Sequence, residues 1–144
     1  SPFLRSIIIN RGSKNKINLG MVVMDGAFLV GKVVEVNYLS SRVLLLSDLN
    51  SKIPVIVEPN AVFSILSGTG KDYGIIQYSK KYEDIKNESV IYTSGVGSLF
   101  KAGIPIGKMN NLSDEKKVEF FSDFSQLKFV KVVSFKKSEN KWQG

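Results

Sequence analysis

The stretch Leu29-Val30-Gly31-Lys32-Val33-Val34-Glu35-Val36-Asn37, followed after a short polar break by Arg42-Val43-Leu44-Leu45-Leu46-Ser47, decides the fold class of this chain. Both runs are rich in valine and leucine and end in turn-forming residues. They are too short to be buried helices and suit the curved core of a small barrel. Working outward, similar runs recur along the whole chain, and strands are expected at 6–10, 21–24, 29–37, 42–47, 53–57, 62–66, 74–79, 90–93, 104–110, 117–121 and 129–135. Between them lie Asn10-Arg11-Gly12, Asp25-Gly26, Asp48-Leu49-Asn50, Glu58-Pro59-Asn60 and Ser94-Gly95, all with recognisable turn chemistry. Helical stretches are confined to short pieces at 82–87 and 122–127. The pattern is all-β, a barrel or sandwich.

The chain repeats itself. Ile7-Ile8-Ile9, a lysine-rich turn, Ile17, Gly20 to Gly26, and Leu29-Val30-Gly31-Lys32 lead to a hairpin ending near Val57. Gly74-Ile75-Ile76, a lysine-rich turn, Ile85, Ser89 to Gly95, and Ile104-Pro105-Ile106-Gly107-Lys108 lead to one ending near Val133. Order and spacing agree, apart from a longer loop at 96–103. The repeat predicts two small related barrels of about six strands each, residues 1–70 and 71–144, joined near Ser67-Gly68-Thr69-Gly70-Lys71. An alternative closes residues 22–94 as one barrel, nested between 1–21 and 95–144.

Composition removes most chemistry. In 144 residues there is no Cys and no His, so no disulfide, thiolate nucleophile, zinc site of the usual ligands or Ser-His-Asp triad can form. Twenty basic against thirteen acidic side chains leave a net charge of +7, divided +3 and +4 between the halves. Interleaved signs, as in Lys80-Lys81-Tyr82-Glu83-Asp84, read as a solvated surface, with a basic module binding nucleic acid as the alternative. No apolar run approaches the length of a membrane-spanning helix, and Ser1-Pro2-Phe3-Leu4-Arg5 lacks the layout of a signal peptide. Ser67-Gly68-Thr69-Gly70-Lys71 lacks the first Gly and the final Ser/Thr of a phosphate loop. Gly95-Val96-Gly97 has Phe100 where a dinucleotide fingerprint needs its third glycine. The Ser-x-x-Lys spacing at Ser13, Ser98, Ser113, Ser125, Ser134 and Ser138 falls on polar segments that would not lower a lysine pKa. Phe120, Phe121, Phe124 and Phe129 read as core and inter-barrel packing. No catalytic, cofactor-binding or metal-binding residue emerges.

One stretch exceeds what a scaffold requires: residues 93–107, Thr-Ser-Gly-Val-Gly-Ser-Leu-Phe-Lys-Ala-Gly-Ile-Pro-Ile-Gly. Its glycines allow close backbone approach, and its apolar residues would be held on an ordered loop. Gly95, Val96, Gly97, Leu99, Phe100, Gly103, Ile104, Pro105 and Gly107 are the candidate protein-contact residues. A tight joint between barrels would use the same residue types.

Several segments resemble the extracytoplasmic region of the MreC family of bacterial rod shape-determining proteins. They are Ser1 to Lys14, Gly20-Met21-Val22-Val23, Leu29 to Val36, Ser41 to Asp48, Ile65 to Gly70, the glycine-rich stretch from Thr93 to Gly107, and Asp123-Phe124-Ser125-Gln126-Leu127. The resemblance covers about residues 1–135; Ser98 replaces a usual Gly and Lys101 a usual Pro. It implies two small barrels like those of chymotrypsin without a catalytic triad, outside the bacterial inner membrane. It also implies a short cytoplasmic tail, one membrane-spanning helix and a coiled coil before Ser1. The implied role is a non-enzymatic, cofactor-free scaffold of the cell-elongation complex that maintains shape by organising peptidoglycan synthesis. Implied partners are a class B penicillin-binding transpeptidase, MreD, RodA, MreB through the membrane, and a second copy of the chain as a homodimer or larger assembly. The glycine loop and open strand edges are the expected contact points.

Overall fold

The structure, a computed structural model, describes residues 5–77, 85–96, 101–110 and 116–134. These form eleven strands: β1 (Ser6–Ile9), β2 (Val22–Asp25), β3 (Phe28–Val36), β4 (Ser41–Leu45), β5 (Lys52–Glu58), β6 (Val62–Gly68), β7 (Tyr73–Gln77), β8 (Val90–Thr93), β9 (Pro105–Asn110), β10 (Lys117–Phe120) and β11 (Lys131–Val133). The all-β class read from the sequence is the class observed. Of the expected helical pieces, 122–127 is a 3-10 turn at Phe124–Gln126, capped by the Asp123 carboxylate, which accepts from the Ser125 N–H at 3.0 Å. Ile85 to Asn87 are not helical, and residues 82–84 lie outside the described residues.

Six strands, in the order β10-β7-β6-β5-β8-β9, close into a barrel. The other five form a sheet in the order β1-β4-β3-β2-β11, and every pairing in both is antiparallel. Among the described residues the second unit is a five-stranded sheet with β1 and β11 at its edges, against the two small barrels of about six strands each that were expected. The change of sheet does not fall at residue 70: Ser67 to Lys71 belong to the β6–β7 hairpin of the barrel, closed by the Thr69 hydroxyl donating to the Tyr73 carbonyl at 2.6 Å. The inserted barrel runs from β5 to β10, and β2 to β4 stay in the sheet, so the nested alternative's limits at 22 and 94 also differ from the pairing.

The chain therefore crosses between the units twice, at residues 46–51 and 121–130. At the first crossing Asp48 is fully buried. Its carboxylate accepts from the Arg5 N–H at 2.5 Å and the Asn50 N–H at 2.7 Å, and its own N–H donates to the Leu45 carbonyl at 3.0 Å. These bonds turn the chain out of the sheet immediately after β4. At the second crossing Ser122 donates to Asp25 at 2.5 Å, and Phe121 packs on Phe28 with ring centroids 5.1 Å apart.

The internal repeat is visible in the pairing. The order β1-β4-β3-β2 corresponds to β7-β10-β9-β8. In each unit one glycine of the third strand lies hard against the fourth: a Cβ on Gly31 would overlap the Leu44 carbonyl, and one on Gly107 the Glu119 carbonyl. The fifth strands are exchanged. β5 follows β4 but pairs with β8, placing Val57 opposite Ile91; β11 follows β10 but pairs with β2, placing Val133 opposite Val22. Val57 and Val133 are the two hairpin ends that the sequence repeat aligns.

Two apolar cores result. Val55, Leu66, Ile91, Ile106, Met109 and Val118 fill the barrel, and Val23, Val30, Val33 and Val43 form the core of the sheet. β2 serves both, since alternate residues point to opposite faces: Val23 enters the sheet core while Val22 and Met24 pack on the barrel. Phe124 touches both cores and stacks on Phe120 with centroids 4.8 Å apart. Phe129, expected in the core, is 88% exposed.

Candidate functional site

The glycine-rich stretch joins β8 to β9. Gly97, Leu99 and Phe100 lie outside the described residues, and both ends of the loop are fixed by Thr93. The Thr93 side chain is buried, donating from its hydroxyl to the Lys101 carbonyl at 2.5 Å and accepting from the Ile104 N–H at 2.9 Å. Its backbone adds Gly103 N–H to Thr93 carbonyl at 2.9 Å and Thr93 N–H to Ile104 carbonyl at 3.0 Å. One threonine thus binds three residues of the returning limb. Gly95 and Gly103 have φ of 79° and 86°, a region that costs most side chains energy, and a Cβ on Gly95 would stand 2.9 Å from that of Ala102.

The described candidate residues divide into two groups. Ile104 is 6% exposed within the barrel core, and Gly107 is buried against β10, so neither is open to a partner. Pro105 begins β9 opposite Tyr92. Val96, 53% exposed, presents apolar surface, and Lys101, Ala102 and Gly103 are exposed beside it. The described limbs of the loop meet on a buried threonine.

Sequence reading passed over a second display, the tip of the β3–β4 hairpin. Tyr38 and Leu39 are 64% and 61% exposed. The Ser13 and Lys14 N–H groups donate to the Asn37 and Tyr38 carbonyls at 2.9 and 3.0 Å, fixing the base of the tip. Two large apolar residues within a polar turn were the available signal.

Elsewhere the described residues form a further cleft and two perturbed charged groups. An open cleft of about 610 Å³ at the second crossing is lined by Arg5, Lys71, Asp72, Phe120, Asp123 and Phe124, with charges of both signs. Lys108 is held above the usual lysine pKa by its hydrogen bond to Glu88, an ion pair of 3.1 Å; Asp123 is held below the usual carboxylate range by the Ser125 hydroxyl and N–H. Among the described residues no three acidic side chains come together as a metal site, and no helix is long and apolar enough to cross a membrane.

The profile of the family described as "Rod shape-determining protein MreC, barrel core" matches residues 1–134. The chain belongs to the MreC family. It is 32% identical over 134 residues to the cell shape-determining protein MreC of Cereibacter sphaeroides, covering 92% of this chain and 45% of the relative. The MreC of Caulobacter vibrioides is also 32% identical, over 136 residues, covering 94% and 39%. This chain thus spans less than half the length of these MreC proteins. The crystal structure of MreC from Pseudomonas aeruginosa superposes with a TM-score of 0.84 at 30% identity, covering 93% of this chain and 92% of that one. Two more distant MreC structures share the fold. One, described as the major periplasmic domain of the cell shape-determining filament MreC, has a TM-score of 0.69 at 24% identity, with 85% and 83% coverage. The other, a complex of penicillin-binding protein PBP2 with MreC from Helicobacter pylori, has a TM-score of 0.56 at 15% identity, with 71% and 66% coverage.

Proposed function

We propose that this chain is the periplasmic barrel part of a non-enzymatic scaffold that organises peptidoglycan synthesis in the cell-elongation complex and so maintains rod shape. The observation that carries this reading is the family match over residues 1–134, on a surface that presents Val96, Tyr38 and Leu39 to solvent. The PBP2 complex of a distant relative supports a class B penicillin-binding transpeptidase as the direct partner. MreD, RodA, MreB through the membrane and a second copy of the chain complete the proposed assembly, anchored by a membrane-spanning segment outside this sequence.

The β8–β9 loop, with Val96 as its described apolar contact, is the proposed docking point. The test is titration of the chain with its organism's transpeptidase ectodomain at two salt concentrations, with single-stranded nucleic acid in parallel. Saturable ectodomain binding that persists in salt and weakens at least about tenfold in Val96→Asp is the expected result. Salt-sensitive nucleic-acid binding without ectodomain binding would replace the scaffold by the basic-module reading.

A further inference from the structure

At one end of the five-stranded sheet two loops are joined. Residues 10–21 link β1 to β2, and residues 37–40 form the tip of the β3–β4 hairpin. The Ser13 and Lys14 N–H groups donate to the Asn37 and Tyr38 carbonyls, and the Asn37 N–H donates to the Ser40 carbonyl at 2.8 Å. Ser41, fully buried, donates from its hydroxyl to the Arg11 carbonyl at 2.8 Å. Gly12 lies so close to the tip that a Cβ there would overlap the Asn37 and Tyr38 carbonyls. Ile17 anchors the first loop in the sheet core, and the Gly20 N–H returns it to the Val33 carbonyl at 2.8 Å.

These two loops expose an uneven set of side chains. Of the four most exposed large apolar side chains among the described residues, three are here: Leu19 at 68%, Tyr38 at 64% and Leu39 at 61%. The same loops carry Arg11, Lys14 and Lys16, all exposed, and no acidic residue. The acidic residue next to the tip in sequence, Glu35, is engaged by Arg42 in an ion pair of 3.1 Å. Signs are interleaved along most of the chain; at this end they are all positive.

Apolar side chains at the apex of a turn, with cations beside them, suit the surface of an anionic bilayer. The apolar groups enter the acyl boundary, while lysine and arginine stems lie along it and keep their charges among the phosphates. An acidic protein would answer the charges. It would also have to bring a hollow that matches three apolar side chains on two convex turns, whereas a bilayer deforms around them.

We propose that this end of the sheet docks reversibly on an anionic lipid bilayer through Leu19, Tyr38 and Leu39, with Arg11, Lys14 and Lys16 supplying the attraction. The contact adds a hold on the membrane to the scaffold reading and does not depend on the transpeptidase.

The test is co-sedimentation of the full chain with vesicles of phosphatidylcholine alone and of phosphatidylcholine mixed equally with phosphatidylglycerol, at low and moderate salt. The expected result is saturable binding to the anionic vesicles that falls steeply with salt, and binding to the neutral ones weaker by about tenfold or more. Lys14→Glu combined with Lys16→Glu weakens anionic binding by about tenfold or more, and Tyr38→Ser combined with Leu39→Ser does the same. Phe129→Ser, on the exposed aromatic of the second crossing, leaves it unchanged. All these side chains are exposed, and a far-ultraviolet spectrum checks that each variant folds. Absence of binding, equal binding to neutral vesicles, no loss in either double variant, or an equal loss in Phe129→Ser would each overturn the proposal. So would an equal loss in Lys136→Glu combined with Lys137→Glu, which would assign the binding to the last residues of the chain. Binding to soluble polyglutamate as tight as to the vesicles would overturn it in favour of an acidic protein. If the transpeptidase ectodomain binds the same sample while the vesicles do not, this proposal falls and the scaffold reading stands. The reverse result keeps the membrane contact and removes that partner.

Discussion

Thr93→Val is a nearly isosteric change at the residue that closes the candidate loop. Thr93 is 2% exposed, and its hydroxyl is both donor to Lys101 and acceptor from Ile104. Valine fills the same volume, so no cavity term enters, and the backbone bonds of Thr93 survive. What is lost is one hydrogen bond at an exposed residue, where water replaces the donor, and one at the buried Ile104 N–H, which is left without this acceptor. The first is worth about 1 kcal/mol and the second about 1–2 kcal/mol with its desolvation penalty, a loss of roughly 2–3 kcal/mol. Phe124 joins the two cores, so one unfolding transition is expected, and a chain of this size loses roughly 3–5 °C of Tm per kcal/mol. Tm should fall by about 6–15 °C, with the urea midpoint falling and the m-value unchanged. Thr93→Ser keeps both hydroxyl bonds and gives up one methyl, costing about 1 kcal/mol. If Thr93→Val unfolds within about 0.5 kcal/mol of the parent, or Thr93→Ser is the worse variant, the hydroxyl does not hold the loop as described.

Gly31→Ala and Gly107→Ala should each cost about 3 kcal/mol or more, because each Cβ would enter the carbonyl of the neighbouring strand; soluble yield and denaturant unfolding read this, and a tolerated alanine at either site would contradict the close approach. Phe129→Ser should shift stability by no more than about 0.5 kcal/mol in urea unfolding, the aromatic being largely in water. The Asp123 carboxyl has a lowered pKa in the folded state, so its contribution is present above the unfolded carboxylate pKa and is lost as pH falls through the lower folded one. In an acid titration of stability, Asp123→Asn should flatten this part of the curve between those two values and leave neutral pH less affected than Asp123→Ala, which removes the cap of the 3-10 turn.

The sequence by itself determined the class of fold, the places of the strands and most of their limits. Those depend on local properties: β-branched runs, turn residues such as Asp25-Gly26, and the missing Cys and His that exclude whole chemistries. It also carried the repeat, because two copies of one plan keep the same order of residue types. What it left undecided was which sheet each strand joins. β5 and β11 have the same apolar alternation whichever neighbour they pair with, so nothing local records that each is given to the other unit. That choice is made by distant contacts: the buried Asp48 carboxylate tied to Arg5 and Asn50, the Ser122–Asp25 bond across 97 residues, and Phe124 between the cores. Burial of aromatics had the same character, with Phe124 in both cores and Phe129 in solvent, although the two stand five residues apart in one segment.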